Sequence, residues 1–418
     1  MSSAKISQPR LTRNAILAAC WCGVAVTSSA FAQSVAQPEA SGLLLGKFTG
    51  DTALDRAWSA ATLYKDNGNP VIEEFDLTGR AQFDYFNVDS DKGKNDFFEI
   101  RRLRMGVDTF WANRFIEVKA TLDTALHSYN APEVFYNRMT DMYVNFHFSD
   151  AFNLRLGKFE PHFGYDREFS DNTQVFFERS FFDDQVFNNT GNDYVTGAAV
   201  SGKIGKWGYQ AALFSDNVDK ELGNFNGGES CLAEISYDFA ADLHADKALL
   251  ALDYMHMNNN SYSNVFNTMD NALATYFDYH NGSWGLVTQL GYGDGIATKG
   301  DIYEFMLMPT YLITKQLELV TRYQLGLAAQ SNGITTLNRQ EKTIGKFTGD
   351  TDNAVYVGLN YYIYGQKLKL MAGEQYDSLT GGTGPKAGGP HYLYRFCAEQ
   401  TVTVNTTAAG GNAALLAR

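Results

Sequence analysis

The segment TDMYVNFHFSDAFNLRLGKF, Thr140 to Phe159, holds two runs of alternation around the break Ser149-Asp150-Ala151. Successive side chains of a strand point to opposite faces. Met142, Val144, Phe146 and Phe148 therefore fall on one face, and Tyr143, Asn145 and His147 on the other. After the break the apolar set resumes as Phe152, Leu154 and Leu156, and the polar set as Asn153 and Arg155. The apolar face of such a hairpin meets either a second sheet in water or the acyl chains of a bilayer.

The same scheme recurs from residue 71 onward. FDLTGRAQFDYF sets Phe75, Leu77, Ala81, Phe83 and Tyr85 against Asp76, Thr78, Arg80, Gln82 and Asp84. IRRLRMGVDTF sets Leu103, Met105 and Val107 against Arg102, Arg104 and Asp108, turns at Ala112-Asn113-Arg114, and returns as FIEVKATLDTAL. Five later segments repeat it, with tight turns such as Asn281-Gly282 and Gly365-Gln366. Counting predicts about 15 strands by residue 377, and HYLYRF at 391–396 supplies a sixteenth. Many runs reach about ten residues, the length that crosses a bilayer, and short turns alternate with long polar loops. An open sheet edge is intolerable in lipid, so the strands must close on themselves. The reading is an all-β protein: a transmembrane antiparallel β-barrel of about 16 strands, in an outer membrane.

Bulk properties agree. No apolar run of about 20 residues follows the N-terminus, which excludes a helical membrane protein. A mean hydropathy of -0.27 does not exclude a barrel, because only alternate residues meet lipid. A net charge of -13 argues against nucleic acid as a partner. Residues 1–32 read as an export signal, with Lys5, Arg10 and Arg13 before an apolar stretch and Ala30-Phe31-Ala32 as the cleavage site. The LAAC at Leu17–Cys20 also reads as a lipoprotein box, but the apolar stretch before it is short for that. Residues 33–70 form an N-terminal periplasmic segment with a short helix around Asp55 to Tyr64, and 71–396 form the barrel. Cys231 and Cys397 are isolated and make neither a disulfide framework nor a metal site. No cofactor is expected.

One connection, residues 161–193, is far longer than the rest, and its Phe176, Phe177, Phe181, Phe182 and Phe187 need something to pack on. It reads as a loop folded into the barrel that narrows the channel. The segments TLYKDNGNPVIEEFDLTGR, IRRLRMGVD, LRLGKFEPHFGYD, FFERSFF and VTGAAVSGKIGKWGYQAALFS, in this order, resemble the phosphate- and polyphosphate-selective O/P porins. That resemblance implies a 16-stranded homotrimeric outer-membrane channel, a third extracellular loop as its constriction, and an anion pathway lined by arginines and lysines. The chain departs from the family's pattern in two respects. It is acidic overall, and after Phe396 it continues into an atypical tail, 397–418, where such barrels close on an aromatic residue.

The candidate pore-lining and anion-binding residues are Arg80, Arg102, Arg104, Lys119, Arg155 and Lys158 on the wall, with Arg167 and Arg179 in the loop. Fixed cations in a narrow passage attract an anion and replace part of its hydration. The competing reading is a solvated wall on which Asp108, Glu117 and Asp123 neutralise them, with the loop arginines bridged to Asp166, Glu168, Glu178, Asp183 and Asp184. GKFTGDT occurs at Gly46–Thr52 and Gly345–Thr351 but does not match a phosphate-binding loop, and reads as turn-rich connection. GxSxG and HExxH are absent, and His147 with Ser149 falls at a lumenal turn, so catalysis is not expected. The function predicted is passive diffusion of small hydrophilic solutes, anions such as phosphate or polyphosphate first. The alternatives are a general or cation-preferring porin, and a secreted β-sandwich binding or structural protein.

Overall fold

A computed structural model describes residues 51–404, apart from 129–131, 170–172, 188–192, 219–220, 259, 268, 297–298, 337–338 and 384–390. The expected signal peptide, residues 33–50 and the end of the tail lie outside the described residues.

The strands of the wall are β1 (Ile72–Ser90), β2 (Gly93–Trp111), β3 (Ile116–Ala125), β4 (Val134–Ser149), β5 (Phe152–Phe159), β6 (Val195–Ile204), β7 (Trp207–Ser215) and β8 (Glu229–Asp238). They continue as β9 (Lys247–His256), β10 (Met269–Asn281), β11 (Trp284–Gly295), β12 (Ile302–Leu312), β13 (Leu317–Ala328), β14 (Thr351–Tyr364), β15 (Leu368–Thr380) and β16 (His391–Val404). Each pairs antiparallel with the next, including β8 with β9. The circuit closes where β16 pairs with β1, from Tyr392 opposite Ser90 to Val404 opposite Gly79. The strand Thr62–Lys65 pairs beside the start of β1 and follows a helix, Ala53–Ser59, capped by Thr52. Among the described residues no helix is long and apolar enough to cross a membrane.

The turns at one end are short: Ala112–Asn113–Arg114, all at positive φ, Asp150–Ala151, Gly205–Lys206, Gly282–Ser283 and Gly365–Gln366. The long connections gather at the other, which is the extracellular end by the usual asymmetry of such barrels. Exposed Trp207 packs on Tyr237 at 4.8 Å, and Trp284 on Tyr311 at 4.5 Å, beside the short turns. These amphipathic rings form the girdle expected at a lipid–water boundary.

The opening hairpin resolves as its pattern dictates. Phe148, Phe152 and Leu156 are exposed on the outer wall, whereas Tyr143, Asn145 and His147 all turn inward to the Glu117 carboxylate. The strict period fails in two places. Between Gln82 and Phe83 the register with β2 slips by one residue, so Arg101 joins Arg102 inside. β16, expected to end at Phe396, continues through part of the segment read as a tail, with an irregularity between Phe396 and Gln400. A bulge inserts residues that break alternation while pairing continues beyond it. Hence the poor pattern after Phe396 is compatible with a strand. The helix expected around Asp55 to Tyr64 ends at Ser59 and gives way to extended chain.

A candidate conduction pathway

The connection between β5 and β6 folds into the barrel, and the wall opposite is built to receive it. Its helix, Phe181–Val186, begins at Ser180. A helix leaves its first backbone N–H groups without partners. Here the Phe181 N–H donates to Gln324 Oε1 at 2.7 Å, and the Phe182 N–H to Glu304 Oε1 at 3.2 Å, both on the barrel wall. Carbonyls are met in the same way. Asn267 Nδ2 donates to the Asp184, Gln185 and Phe187 carbonyls, Lys299 Nζ to Gln185 O at 2.9 Å, and Asn360 Nδ2 to Val175 O at 2.9 Å. Phe176, Phe177, Phe181, Phe182 and Phe187 are all buried. The Phe182 ring lies against Gly291 and the Phe181 ring against Gly326, so closely that a methyl group at either glycine would come within 2.8 Å or 2.6 Å of a ring atom.

Docking the loop on β9–β15 covers most of that wall. Asp253, Asp278, Gln289, Glu304, Arg322, Gln324 and Gln375 point inward and are buried. Open surface on the inner wall therefore concentrates along β1–β5, where Arg80, Arg102, Lys119, Asp141, His147, Asn153 and Arg155 stay partly exposed. Net charge is thus a poor guide to the passage. Many of the interior carboxylates sit beneath the loop, while the accessible side offers Arg80, Arg102, Lys119 and Arg155 against Asp141 and Glu117.

The eight candidate cations separate into two groups. Arg155 lies over the Tyr143 ring at 4.5 Å and the Phe159 ring at 5.4 Å, with no ion pair among the described residues. Lys119 reaches Asp141 only at 4.0 Å, and Arg102 donates to Gln82 Oε1 at 2.8 Å. Arg80 stands opposite Arg104 across the β1–β2 pairing. These four face the open side. The other four are engaged. Arg104 donates to the Tyr194 hydroxyl at 2.8 Å and lies 3.6 Å from Asp123. Lys158 is buried on Glu221 at 3.3 Å. Arg167 binds Asp183 at 2.5 Å and Glu160 at 2.8 Å, and Arg179 also binds Glu160, so the loop arginines fasten the loop to itself.

Arg101 escaped the sequence reading because period 2 places it in lipid. An arginine facing lipid at the bilayer midplane costs about 2–4 kcal/mol, and that cost was the available signal of a bulge. Its guanidinium holds Glu178 of the loop through two nitrogens. Enclosure in the barrel pushes the Glu178 carboxyl up, but Arg101 and Gln340 outweigh it and hold the group below its ordinary range. Arg138, also unassigned from sequence, does the same for Asp193 at 2.8 Å. Beside Arg155 the loop presents His162, whose imidazole is pushed down to about 4 by enclosure and by the guanidinium. It is neutral at physiological pH.

Residues 75–272 match the family model described as phosphate-selective porin O and P. Among solved structures, the fold resembles an anion-selective porin from Comamonas acidovorans, at 11% identity and a TM-score of 0.54, covering 79% of this chain and 99% of that one. It also resembles the outer membrane channel DcaP of Acinetobacter baumannii, at 11% and 0.52, covering 81% and 100%, and OprB of Pseudomonas putida, at 9% and 0.51, covering 79% and 94%. At such identities the likeness speaks for the fold alone. No curated protein matches significantly.

Proposed function

We propose that this chain, an outer-membrane porin of the phosphate-selective O and P kind, passes small hydrophilic anions by diffusion along the β1–β5 side of its lumen. It is a channel and not an enzyme. The supporting observation is the unequal burial of charge: the loop covers carboxylates of β9–β15 and leaves Arg80, Arg102, Lys119 and Arg155 beside the open space. In a narrow passage with low-dielectric walls such a row raises the local anion concentration and excludes cations. Phosphate-sized oxyanions are the substrate class, because guanidinium groups offer them paired donors. We take residues 1–32 as the export signal, residues 33–70 as a periplasmic segment, and a homotrimer as the assembly.

Reversal potentials in a KCl gradient across planar bilayers test this reading. Chloride-over-potassium selectivity that falls when phosphate is added is the expected result. Potassium selectivity would defeat it in favour of a cation-preferring porin.

A further inference from the structure

Beside Arg155 the open wall carries a histidine with no role in the pathway described so far. His147 of β4 stands opposite Asn153 of β5, and the next inward pair, Asn145 and Arg155, lies two residues away on each strand. Asn145 in turn stands opposite Glu117 of β3. Three adjacent strands thus set Glu117, His147 and Arg155 around one patch of the lumen. The His147 side chain is 37% exposed and that of Glu117 14%, so the ring is reached from water while its partner is largely covered.

Both ring nitrogens face acceptors. Nε2 lies 3.1 Å from Glu117 Oε2, and Nδ1 lies 3.0 Å from Asn153 Oδ1. Asn153 is oriented by its own Nδ2, which donates to the Ser201 carbonyl of β6 at 3.4 Å, so the amide oxygen faces the ring. A neutral imidazole has one N–H and one lone pair, and only the imidazolium donates from both nitrogens. Asn145 Nδ2 lies 3.2 Å from Glu117 Oε2 and 3.2 Å from His147 Nε2. It donates to the carboxylate while the ring holds both protons, and its second N–H serves Nε2 once the ring has lost one. The ring therefore keeps its orientation in either state, and titration changes charge without moving the wall.

Few charges face this ring. Glu117 also accepts the Tyr143 hydroxyl at 3.0 Å, and Arg155 lies over the same Tyr143 ring. Lys119 and Asp141, 4.0 Å apart, follow along β3 and β4, and the loop adds His162, which is neutral at physiological pH. We propose that His147 is a selectivity-determining residue of the pathway, whose imidazolium cancels the Glu117 charge and leaves Arg155 to act on passing anions. Loss of the ring proton sets the Glu117 carboxylate against Arg155. Anion preference is then strongest in acid and weakens as pH rises through the range in which histidine titrates. The selectivity role rests on the porin reading, whereas the charge of the ring does not.

Carbethoxylation by diethyl pyrocarbonate, which attacks only the neutral imidazole, reads that charge without conduction. In the purified full chain in detergent, followed by mass spectrometry from about pH 5 to about pH 9, His147 should become reactive at higher pH in the wild type than in Glu117→Gln. Equal midpoints would overturn the pairing. Reversal potentials in a KCl gradient, whose ions do not titrate, read the consequence. The wild-type chloride-to-potassium ratio should fall about twofold across the same range. His147→Gln should stay at the lower value throughout, and Glu117→Gln at or above the wild-type acid value. A pH-independent wild-type ratio, or a profile that His147→Gln retains, overturns the assignment and leaves an anion-selective porin standing. Potassium selectivity at every pH overturns the anion reading itself, and with it the selectivity role. Heat-modifiable migration shows that each variant has folded; should His147→Gln fail, Glu117→Gln and the wild-type profile decide.

Discussion

Gly291→Leu or Gly326→Leu is expected to raise single-channel conductance severalfold without preventing barrel assembly. The Phe182 and Phe181 rings occupy the space that any side chain at these positions would need. Both glycines lie within regular strands, β11 and β13, whose backbones tolerate leucine. Overpacking a filled site costs about 1–3 kcal/mol, and each phenylalanine displaced from its pocket forfeits roughly 2 kcal/mol more. Together these approach what holds a short helix on a wall, so the helix gives way and the barrel does not. Recording in planar bilayers, with heat-modifiable migration as the folding control, checks it. Unchanged conductance in both folded variants would mean that the loop does not set the width of the passage.

The second large effect concerns charge. Arg155→Glu combined with Lys119→Gln should reduce the chloride-to-potassium permeability ratio by about tenfold. Arg155 is propped by Tyr143 and Phe159 and carries no ion pair among the described residues, so its charge acts on the lumen. Arg167→Gln should barely change the ratio, because Asp183 and Glu160 already neutralise that guanidinium. Equal shifts from the two substitutions would refute the division between open and engaged cations. The measurement is again the reversal potential.

The wall was legible in the sequence because a barrel imposes a two-residue period that shows in every hairpin. Met142 to Phe148 read correctly, as did the turns at Ala112, Gly282 and Gly365. What escaped were places where the period breaks. The slip beside Gln82 turns Arg101 inward, and the irregularity after Phe396 hides the rest of β16. The loop's phenylalanines announced that it must pack, but not on which wall. That choice depends on Gly291, Gly326, Gln324 and Glu304, more than a hundred residues away, and such pairings leave no local signal. The competition between Arg167 and its acidic neighbours likewise needed three-dimensional proximity to decide.

Thiol accessibility tests the central claim, that the loop covers one wall and leaves the basic one open. With Cys231 and Cys397 replaced by Ser, cysteine is introduced at Arg155 on the open side or at Ala274, which is buried near the loop's Gly164. A charged, membrane-impermeant methanethiosulfonate added to the conducting channel should block current through Arg155→Cys and leave Ala274→Cys unmodified. Rapid modification at Ala274 with protection at Arg155 would place the passage on the other wall and contradict the account.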